Sequence, residues 1–201
     1  MKVLFLDLDG VLNNSASTLA KIGKLVMSDR QRRCYEILLQ HFRSDDMPYG
    51  PEFAILTNDP VAVGLLNRCL RETEAKVVIS SSHRNNFTRY DTGLMHGSMD
   101  HIALLRIFFG ALGVIEDPII DVTQKYDGAI RGHEIQNWLD GHPEVESYVI
   151  LDDGKDFYPH QEHVWCDPKF GFHHKEFVET CLKLGSKQGM ILTLEEDWQT
   201  Q

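Results

Sequence analysis

Two carboxylates follow the first apolar segment of the chain and are separated by a single residue. Residues 3–6 form a continuous apolar run with β-branched and aromatic members, and Asp7, Asp9 and Gly10 come directly after it. Burying two charged acids at the end of a core strand costs several kcal/mol unless a cation compensates them. A hard divalent cation with oxygen ligands suits such a pair, and Gly10 allows the backbone to turn so that Asp9 folds back towards Asp7. The sequence therefore predicts a metal site here.

Two later segments repeat this order of an apolar strand followed by polar side chains. In an open parallel sheet, ligands bind outside the carboxyl ends of the strands, so we expect the three polar segments to meet in one crevice. Together they offer carboxylates, hydroxyls and an arginine, which predicts a metal site with a place for an oxyanion beside it. The run 77–79 is followed by Ser80, Ser81, Ser82, His83 and Arg84, and the run 148–151 is followed by Asp152, Asp153 and Gly154.

The elements that have to position these groups alternate between strands and helices. A capping box at Ser28 opens one helix, and Asp59 followed by Pro60 opens another. Further helices are predicted over 102–109, 132–139 and 174–184, the last two closed by Gly141 and Gly185 as left-handed caps, with short strands at 119–122 and 163–166. This alternation indicates an α/β fold, namely a three-layer Rossmann-like parallel sheet with helices on both faces.

One stretch interrupts the alternation after the first strand. Residues 13–59 begin with a polar stretch to Val26, for which we expect a loop or flap, and they continue through the helix that starts at Ser28. We interpret residues 13–59 as a small cap or flap insertion within a single domain over 1–201. An irregular loop is expected over 85–98, and an acidic tail over 189–201.

The three motifs, taken in order, resemble the haloacid dehalogenase (HAD) superfamily of phosphotransferases. The resemblance extends from Lys2 to about Leu184 and implies one HAD-like domain. Two further segments, 78–84 and 131–135, resemble small phosphatases found in phages and in RNA-repair fusions. The motifs are Asp7-Leu8-Asp9-Gly10-Val11-Leu12, Val78-Ile79-Ser80 and Leu151-Asp152-Asp153.

The position of the second superfamily motif is open between two apolar runs. Residues 53–58 end in Thr57 and Asn58, which can serve as this motif, but a new helix starts immediately afterwards. The run that ends at Ser80 is more typical of a strand, and Arg84 follows four residues later. We therefore assign the motif to Ser80.

The resemblance implies a role for each motif residue. Asp7 is expected to be the nucleophile that forms an aspartyl-phosphate, and Asp9 the general acid and base. Dehalogenases of the superfamily lack the second acid, so its presence favours phosphate chemistry. Ser80 is expected to bind the phosphoryl oxygens, with Ser81 and Arg84 as further substrate contacts.

A basic residue and a cofactor complete the implied site. The third-motif base is Arg131 or Lys125, and Arg131 is preferred because it opens the helix that leads to the strand before Asp152. The implied cofactor is Mg²⁺, held by Asp7, Asp152 and Asp153, with Asp156 as a weaker substitute and the main-chain carbonyl of Asp9 as a further ligand.

These roles predict a Mg²⁺-dependent phosphatase, and the resemblance to phosphatases of phages and RNA-repair fusions implies nucleotides or polynucleotide 3′ ends as substrates. A short insertion leaves the site open to bulky substrates. The alternatives are a small-metabolite phosphatase and a non-catalytic protein that binds a phosphorylated ligand. The net charge of −10 argues against a general nucleic-acid binder but leaves room for a local basic patch.

Composition limits the remaining possibilities. No run of about 18 apolar residues exists, so we expect no membrane span and a cytoplasmic protein, and nothing indicates an obligate protein partner. A zinc site is a further alternative, but its candidate ligands lack the Cys-x-x-Cys spacing that is usual in zinc sites with thiolate ligands. Those candidates are His160, His163, Cys166, His173 and His174.

Overall fold

A computed structural model of the protein describes residues 1–21, 26–40, 51–84, 100–115 and 117–186. Within these ranges the strands are β1 (Lys2–Leu6), β2 (Lys76–Ile79), β3 (Ile119–Val122), β4 (Ser147–Asp152) and β5 (His163–Trp165). The helices are α1 (Ser15–Lys21), α2 (Asp29–Leu39), α3 (Pro51–Thr57), α4 (Pro60–Thr73), α5 (His101–Leu112), α6 (Arg131–Asp140) and α7 (His174–Lys183).

The strands form one parallel sheet in the order β3-β2-β1-β4-β5. The chain runs outward from β1 through β2 to β3 and then returns to the other side of β1 to add β4 and β5. The order therefore reverses between β1 and β4, and the carboxyl ends of these two strands flank the resulting crevice. This is the α/β sheet that the sequence predicts.

Helices cover both faces of the sheet because the side chains of β1 alternate between two apolar clusters. Val3 and Phe5 pack with Ile135 and Trp138 of α6 on one face. Leu4 and Leu6 pack on the opposite face with residues of α2, α3, α4, α5 and α7. The expected three layers are thus confirmed.

The beginnings of two helices match their sequence signals. At α2, the backbone N–H of Gln31 donates to Ser28 Oγ at 3.3 Å, and Gln31 Oε1 accepts from the Ser28 N–H at 2.9 Å. At α4, Asp59 Oδ1 accepts from the N–H of Val61 at 2.8 Å, with Pro60 in the first turn. Side-chain caps therefore fix where both helices start.

The segment 13–59 contributes to the main core. Its described part contains α1, α2 and α3, and Leu38 and Ile55 are fully buried in the same apolar cluster as Leu105 of α5. The polar stretch that we expected to be a loop or flap includes α1, so that expectation was wrong over residues 15–21. A covering role of this segment over the site stays a prediction.

The expected glycine caps are confirmed only in part, and two expected irregular segments lie outside the described residues. Gly141 follows α6 with φ of −82°, so it is not a left-handed cap, whereas Gly185 after α7 has φ of +71° as expected. The loop expected over 85–98 and the tail over 189–201 lie outside the described residues. Within the described ranges, none of the helices combines the length and apolar character needed to cross a bilayer.

Candidate active site

Three carboxylates meet in the crevice between β1 and β4, and we call them the acidic cluster. Asp7 follows β1 and Asp152 ends β4, and the strand register, which pairs Leu6 with Leu151, brings them side by side. One carboxylate oxygen from each of Asp7, Asp152 and Asp153 lies within 4.8 Å of the others. Among the described residues, this is the group of acids, histidines or cysteines whose ligand atoms lie close enough to share a metal ion.

Arg131, at the first turn of α6, is the cation of the acidic cluster. Its Nη1 lies 2.9 Å from Asp7 Oδ1 and 2.7 Å from Asp152 Oδ2. Burial lowers the pKa of Arg131, but the carboxylates of Asp7 and Asp152 outweigh burial and raise it above its ordinary value. The backbone N–H of Arg131 donates to Asp156 Oδ2 at 2.9 Å, which anchors the start of the helix.

The acidic cluster holds more negative charge than Arg131 can balance. Burial and the neighbouring Asp7 raise the pKa of Asp152 to about 7, although Arg131 opposes the shift. Burial and Asp7 also raise the pKa of Asp153. One guanidinium neutralises at most one of three carboxylates, and hard oxygen donors with residual negative charge suit a divalent cation such as Mg²⁺. The donor set therefore fits the implied cofactor.

Gly10 lets the turn after β1 press against the acidic cluster. Its φ of +75° lies in the left-handed region, and its N–H donates to the carbonyl oxygen of Asn13 at 2.7 Å. A Cβ atom at this position would lie 2.3 Å from Asp153 Oδ2. Glycine is therefore required both by the backbone conformation and by the approach of Asp153.

Asp9 lies at the solvent side of the crevice with 64% of its side chain exposed. His83 Nε2 is 2.9 Å from Asp9 Oδ2, and Asn13 Nδ2 donates to Asp9 Oδ1 at 3.5 Å. The hydrogen bond to His83 is the main reason that the pKa of Asp9 is lowered. Asp9 is thus accessible to an incoming molecule while two side chains orient its carboxylate.

Ser80 directly follows β2, and the pairing of β2 with β1 places it beside Asp7. Its N–H donates to the carbonyl oxygen of Leu6 at 3.0 Å, and the residue is fully buried. Ser80 Oγ has no hydrogen-bond partner among the described residues. Ser81 is also buried, and its Oγ accepts from the His83 N–H at 3.3 Å. Ser80 is therefore the neighbour of Asp7 across the sheet, and its hydroxyl has no partner in the part of the chain that the structure describes.

The other candidate for the second motif lies in a helix. Residues 53–57 belong to α3, where Thr57 Oγ1 donates to the carbonyl oxygen of Phe53 at 2.7 Å. Asn58 Nδ2 donates to the carbonyl oxygen of Leu112 at 2.6 Å, away from the acidic cluster. The strand that leads to the crevice is β2, which ends just before Ser80, the residue to which we assigned the second motif.

Arg84 is not turned towards the crevice in the way that a phosphate contact requires. It is 3% exposed, and its guanidinium donates to the carboxylate of Glu134 and to the carbonyl oxygens of Ser80, Ser81 and Thr123. These donations link the loop after β2 to the end of β3 and to α6. Arg84 therefore supports the shape of the site, and its expected role as a substrate contact finds no support in this geometry.

The remaining sequence candidates do not belong to the acidic cluster. Lys125 is exposed in the loop before α6. The five residues considered as zinc ligands do not converge among the described residues: Cys166 is buried, His160 contacts Gln136, and His163 contacts the carbonyl oxygen of Asp152.

Sequence reasoning missed two partners of the site. His83 precedes Arg84 in the second motif, but nothing in its spacing pointed to Asp9. Glu134 lies one turn after Arg131 on α6, and the apolar neighbours Ile135 and Trp138 were the signal that this helix faces inwards. An acid beside such a face needs a buried cation, which would have suggested Arg84 as its partner.

Comparison with known proteins adds an independent finding. A family profile described as the HAD domain in Swiss Army Knife RNA repair proteins matches residues 3–177. The comparisons with curated proteins and with solved structures gave no match. The matched range runs from β1 into α7 and so includes all three motifs and the acidic cluster. This chain therefore belongs to the family of HAD domains of the Swiss Army Knife RNA repair proteins.

Proposed function

We propose that the protein is a Mg²⁺-dependent phosphatase that hydrolyses phosphate monoesters through an aspartyl-phosphate on Asp7. The observation that carries this proposal is the meeting of the acidic cluster and Arg131 where the strand order reverses. An anionic carboxylate attacks an anionic phosphate only where positive charge offsets their repulsion, and this crevice combines the nucleophile with a guanidinium and the donors for a hard cation. Family membership supports phosphatase-type chemistry.

Asp7, Asp152 and Asp153 would hold Mg²⁺, and we expect the main-chain carbonyl of Asp9 to join them. When bound, Mg²⁺ supplies positive charge that offsets the repulsion between Asp7 and the phosphoryl group. Asp156 remains the weaker candidate ligand because its carboxylate already accepts from the N–H of Arg131.

In the first step, a carboxylate oxygen of Asp7 attacks phosphorus and the bond from phosphorus to the ester oxygen breaks. Asp9 gives a proton to that oxygen, so the product leaves as an alcohol. Arg131 holds the Asp7 carboxylate in place through Nη1. Ser80 and Ser81 are expected to bind the phosphoryl oxygens that do not react.

In the second step, water attacks the phosphorus atom of the aspartyl-phosphate. The Asp9 carboxylate accepts a proton from that water, and the bond between phosphorus and the Asp7 oxygen breaks. Inorganic phosphate leaves, and both acids return to their starting states. The exposure of Asp9 supports this role, because a group that serves the leaving oxygen and then water has to be reachable from solvent.

For the substrate, we propose nucleotides or polynucleotide 3′ ends. The support is the family itself, which is described by its occurrence in RNA repair proteins. The exposed position of Asp9 is compatible with a large molecule that presents its terminal phosphate to the crevice.

The experiment that tests the reaction compares Asp7→Asn and Asp9→Asn on two substrates. Wild-type turnover of para-nitrophenyl phosphate should require Mg²⁺ and stop in EDTA, and Asp7→Asn should reduce it to background. Asp9→Asn should lose about 10²–10⁴-fold on an alkyl phosphate, whose leaving oxygen needs a proton, and less on para-nitrophenyl phosphate. Residual turnover by Asp7→Asn would exclude the covalent intermediate, and equal losses by Asp9→Asn would exclude its role as the acid.

The substrate class needs a separate panel. We expect oligonucleotides with a 3′-phosphate to be hydrolysed with a higher kcat/KM than the same oligonucleotides with a 5′-phosphate. Mononucleotides and small phosphorylated metabolites serve as matched comparisons. A preference for the metabolites would contradict the polynucleotide assignment and leave the phosphatase reaction in place.

A further inference from the structure

A cavity of about 400 Å³ opens beside the acidic cluster, between the end of β5 and the start of α7. Its walls include Trp165, Phe170 and Lys175, and we call it the Trp165–Phe170 groove. The indole Nε1 of Trp165 donates to the carbonyl oxygen of Asp153 at 2.7 Å. One wall of the groove is therefore hydrogen-bonded directly to a member of the acidic cluster.

The base of the groove packs against the turn that carries Asp9. Gly171 has φ of +76°, and a Cβ atom there would lie 2.5 Å from the carbonyl oxygen of Val11. The N–H of Phe172 donates to that same carbonyl oxygen at 2.9 Å. A residue larger than glycine would push the groove away from the turn, so this close contact fixes the groove next to the proposed reaction site.

The aromatic walls of the groove are unusually open to solvent. Trp165 is 43% exposed and Phe170 is 48% exposed. Most of the largest apolar rings, by contrast, are fully buried in the core, among them Phe5, Phe108, Phe172 and Phe177. Two large rings that share one cavity and remain in water form a surface suited to a ligand with flat, apolar faces.

Lysines surround these two rings. Lys155 Nζ lies 4.9 Å from the centroid of the Trp165 ring, and Lys169 Nζ lies 5.0 Å from the centroid of the Phe170 ring. Lys175 lines the groove itself, and all three lysines are exposed. In a chain with a net charge of −10, these three lysines bring positive charge close to both rings.

The two acids at the groove are engaged with the backbone. Asp167 Oδ1 accepts from the N–H of Lys169 at 2.8 Å, and Glu176 Oε2 accepts from the N–H of His173 at 3.3 Å. Asp167 thereby shapes the loop after β5, and Glu176 shapes the start of α7. Among the described residues, none of Lys155, Lys169 and Lys175 forms an ion pair with a carboxylate, so their ammonium groups remain available to an anionic ligand.

We propose that the Trp165–Phe170 groove binds the terminal nucleosides of a single-stranded polynucleotide whose end phosphate lies at Asp7. This inference rests on the proposed function and names the part of the substrate that the protein recognises. Bases of any sequence stack on aromatic rings, and lysines beside the rings bind the phosphates that connect the nucleosides. A small phosphorylated metabolite offers no base to stack and no second phosphate for these lysines.

The test measures binding and turnover separately. Binding is followed by fluorescence anisotropy of a labelled single-stranded oligoribonucleotide with a 3′-phosphate, in an Asp7→Asn background so that the probe stays intact. Phe170→Ala should raise Kd by about fivefold or more, since a stacking contact is lost. Lys175→Gln should raise Kd and reduce the slope of log Kd against log salt by about 0.7, as for one lost phosphate contact on a single strand.

The chain offers matched controls that line a different cavity. Ile115 is as exposed as Phe170, at 48%, and Lys76 is an exposed lysine at the start of β2. Ile115→Ala and Lys76→Gln should leave Kd unchanged. In the otherwise wild-type protein, Ile115→Ala and Lys76→Gln should leave the turnover of para-nitrophenyl phosphate unchanged, because neither residue lies in the groove or in the acidic cluster.

Each outcome decides one point. An unchanged Kd in both groove variants would overturn the groove proposal, and so would equal affinity for the oligonucleotide and a 3′-mononucleotide. If the groove variants weaken binding but the wild-type protein hydrolyses no phosphate ester, the proposed reaction fails and nucleic-acid binding by the groove stands. If turnover is Mg²⁺-dependent but the groove variants have no effect, the reaction stands and the groove proposal fails.

Discussion

Two arginines lie near the carboxyl ends of the strands, the buried Arg84 and the half-buried Arg131, and their surroundings differ in the balance of charge. Arg84 contacts one carboxylate, that of Glu134, and donates otherwise to backbone carbonyl oxygens. Arg131 contacts the carboxylates of both Asp7 and Asp152. Burial dominates at Arg84 and lowers its pKa, whereas the paired carboxylates prevail at Arg131 and raise its pKa.

The difference separates a structural ion pair from the proposed reaction site. The Arg84 pair is balanced, because one guanidinium meets one carboxylate while its Nε and Nη1 donate to backbone carbonyl oxygens. The acidic cluster has three carboxylates around one guanidinium. The repulsion between these carboxylates lowers the stability of the fold, and the packing of the sheet does not require them. An excess of one charge in a crevice is typical of a site that binds an oppositely charged partner.

The largest expected effect comes from breaking the balanced pair. Glu134→Gln removes the only carboxylate among the described residues that contacts the Arg84 guanidinium and leaves a buried charge uncompensated. We expect the free energy of unfolding to fall by about 3–5 kcal/mol, measured by urea denaturation. The exposed pair of Lys183 and Glu162 is the control, because Glu162→Gln should cost less than about 1 kcal/mol. Equal losses would mean that the Arg84 pair contributes no more than a surface ion pair.

A second substitution removes the cation of the acidic cluster. Arg131→Gln leaves three carboxylates without their guanidinium, so the metal-free protein should lose about 2 kcal/mol of stability. Mg²⁺ should recover much of this loss by binding the same carboxylates, and the gain should grow with its concentration. Thermal denaturation with EDTA and with a series of Mg²⁺ concentrations measures both. A loss that Mg²⁺ does not reduce would argue against a cation site in the cluster.

A third substitution should stabilise the metal-free protein. Asp153→Asn removes one of the like charges of the cluster while keeping the size of the side chain, and it should raise the free energy of unfolding in EDTA by about 1 kcal/mol. The advantage should disappear at saturating Mg²⁺, because the variant has lost a ligand. If Asp153→Asn destabilises the protein in EDTA, charge excess is not what distinguishes this region from the Arg84 pair.

The smallest expected change in stability is at Ser80. Its hydroxyl has no partner among the described residues, so Ser80→Ala should change the free energy of unfolding by less than about 0.5 kcal/mol. Turnover should nevertheless fall, because the hydroxyl is expected to bind a phosphoryl oxygen. Thr57→Ala should show the opposite pattern, with a loss of about 1 kcal/mol from its hydrogen bond to Phe53 and unchanged turnover. The reverse ranking of turnover would return the second motif to residues 53–58.

The sequence predicted those parts of the molecule that follow from local rules. Apolar runs ending in acids gave the strands around Asp7 and Asp152, and cap residues gave the starts of α2 and α4. The role of Arg84 was not predictable in this way, because Glu134 lies fifty residues later and only the folded sheet brings them together. Residues 53–57 remained an alternative for the second motif because an apolar run of this length is compatible with both a helix and a strand.

The Trp165–Phe170 groove shows a second limit of the sequence. The sequence does not distinguish an exposed phenylalanine from a buried one. Phe170 and Phe172 differ in exposure because the loop after β5 turns at Gly171. Tertiary structure decides which of them reaches solvent. The same holds for His83, whose neighbour Asp9 comes from a different strand end.

The register of β1 also bears on the order in which the molecule forms. Lys2 pairs with Ser147 and Leu6 with Leu151, so the central strand finds one of its two partners only after most of the chain has been synthesised. Pairings this distant in sequence are slow to form. Asp7 consequently meets Asp152 late, and no cation can bridge them before the sheet is nearly complete. Stopped-flow kinetics should therefore show that Mg²⁺ slows unfolding and leaves the rate of refolding unchanged.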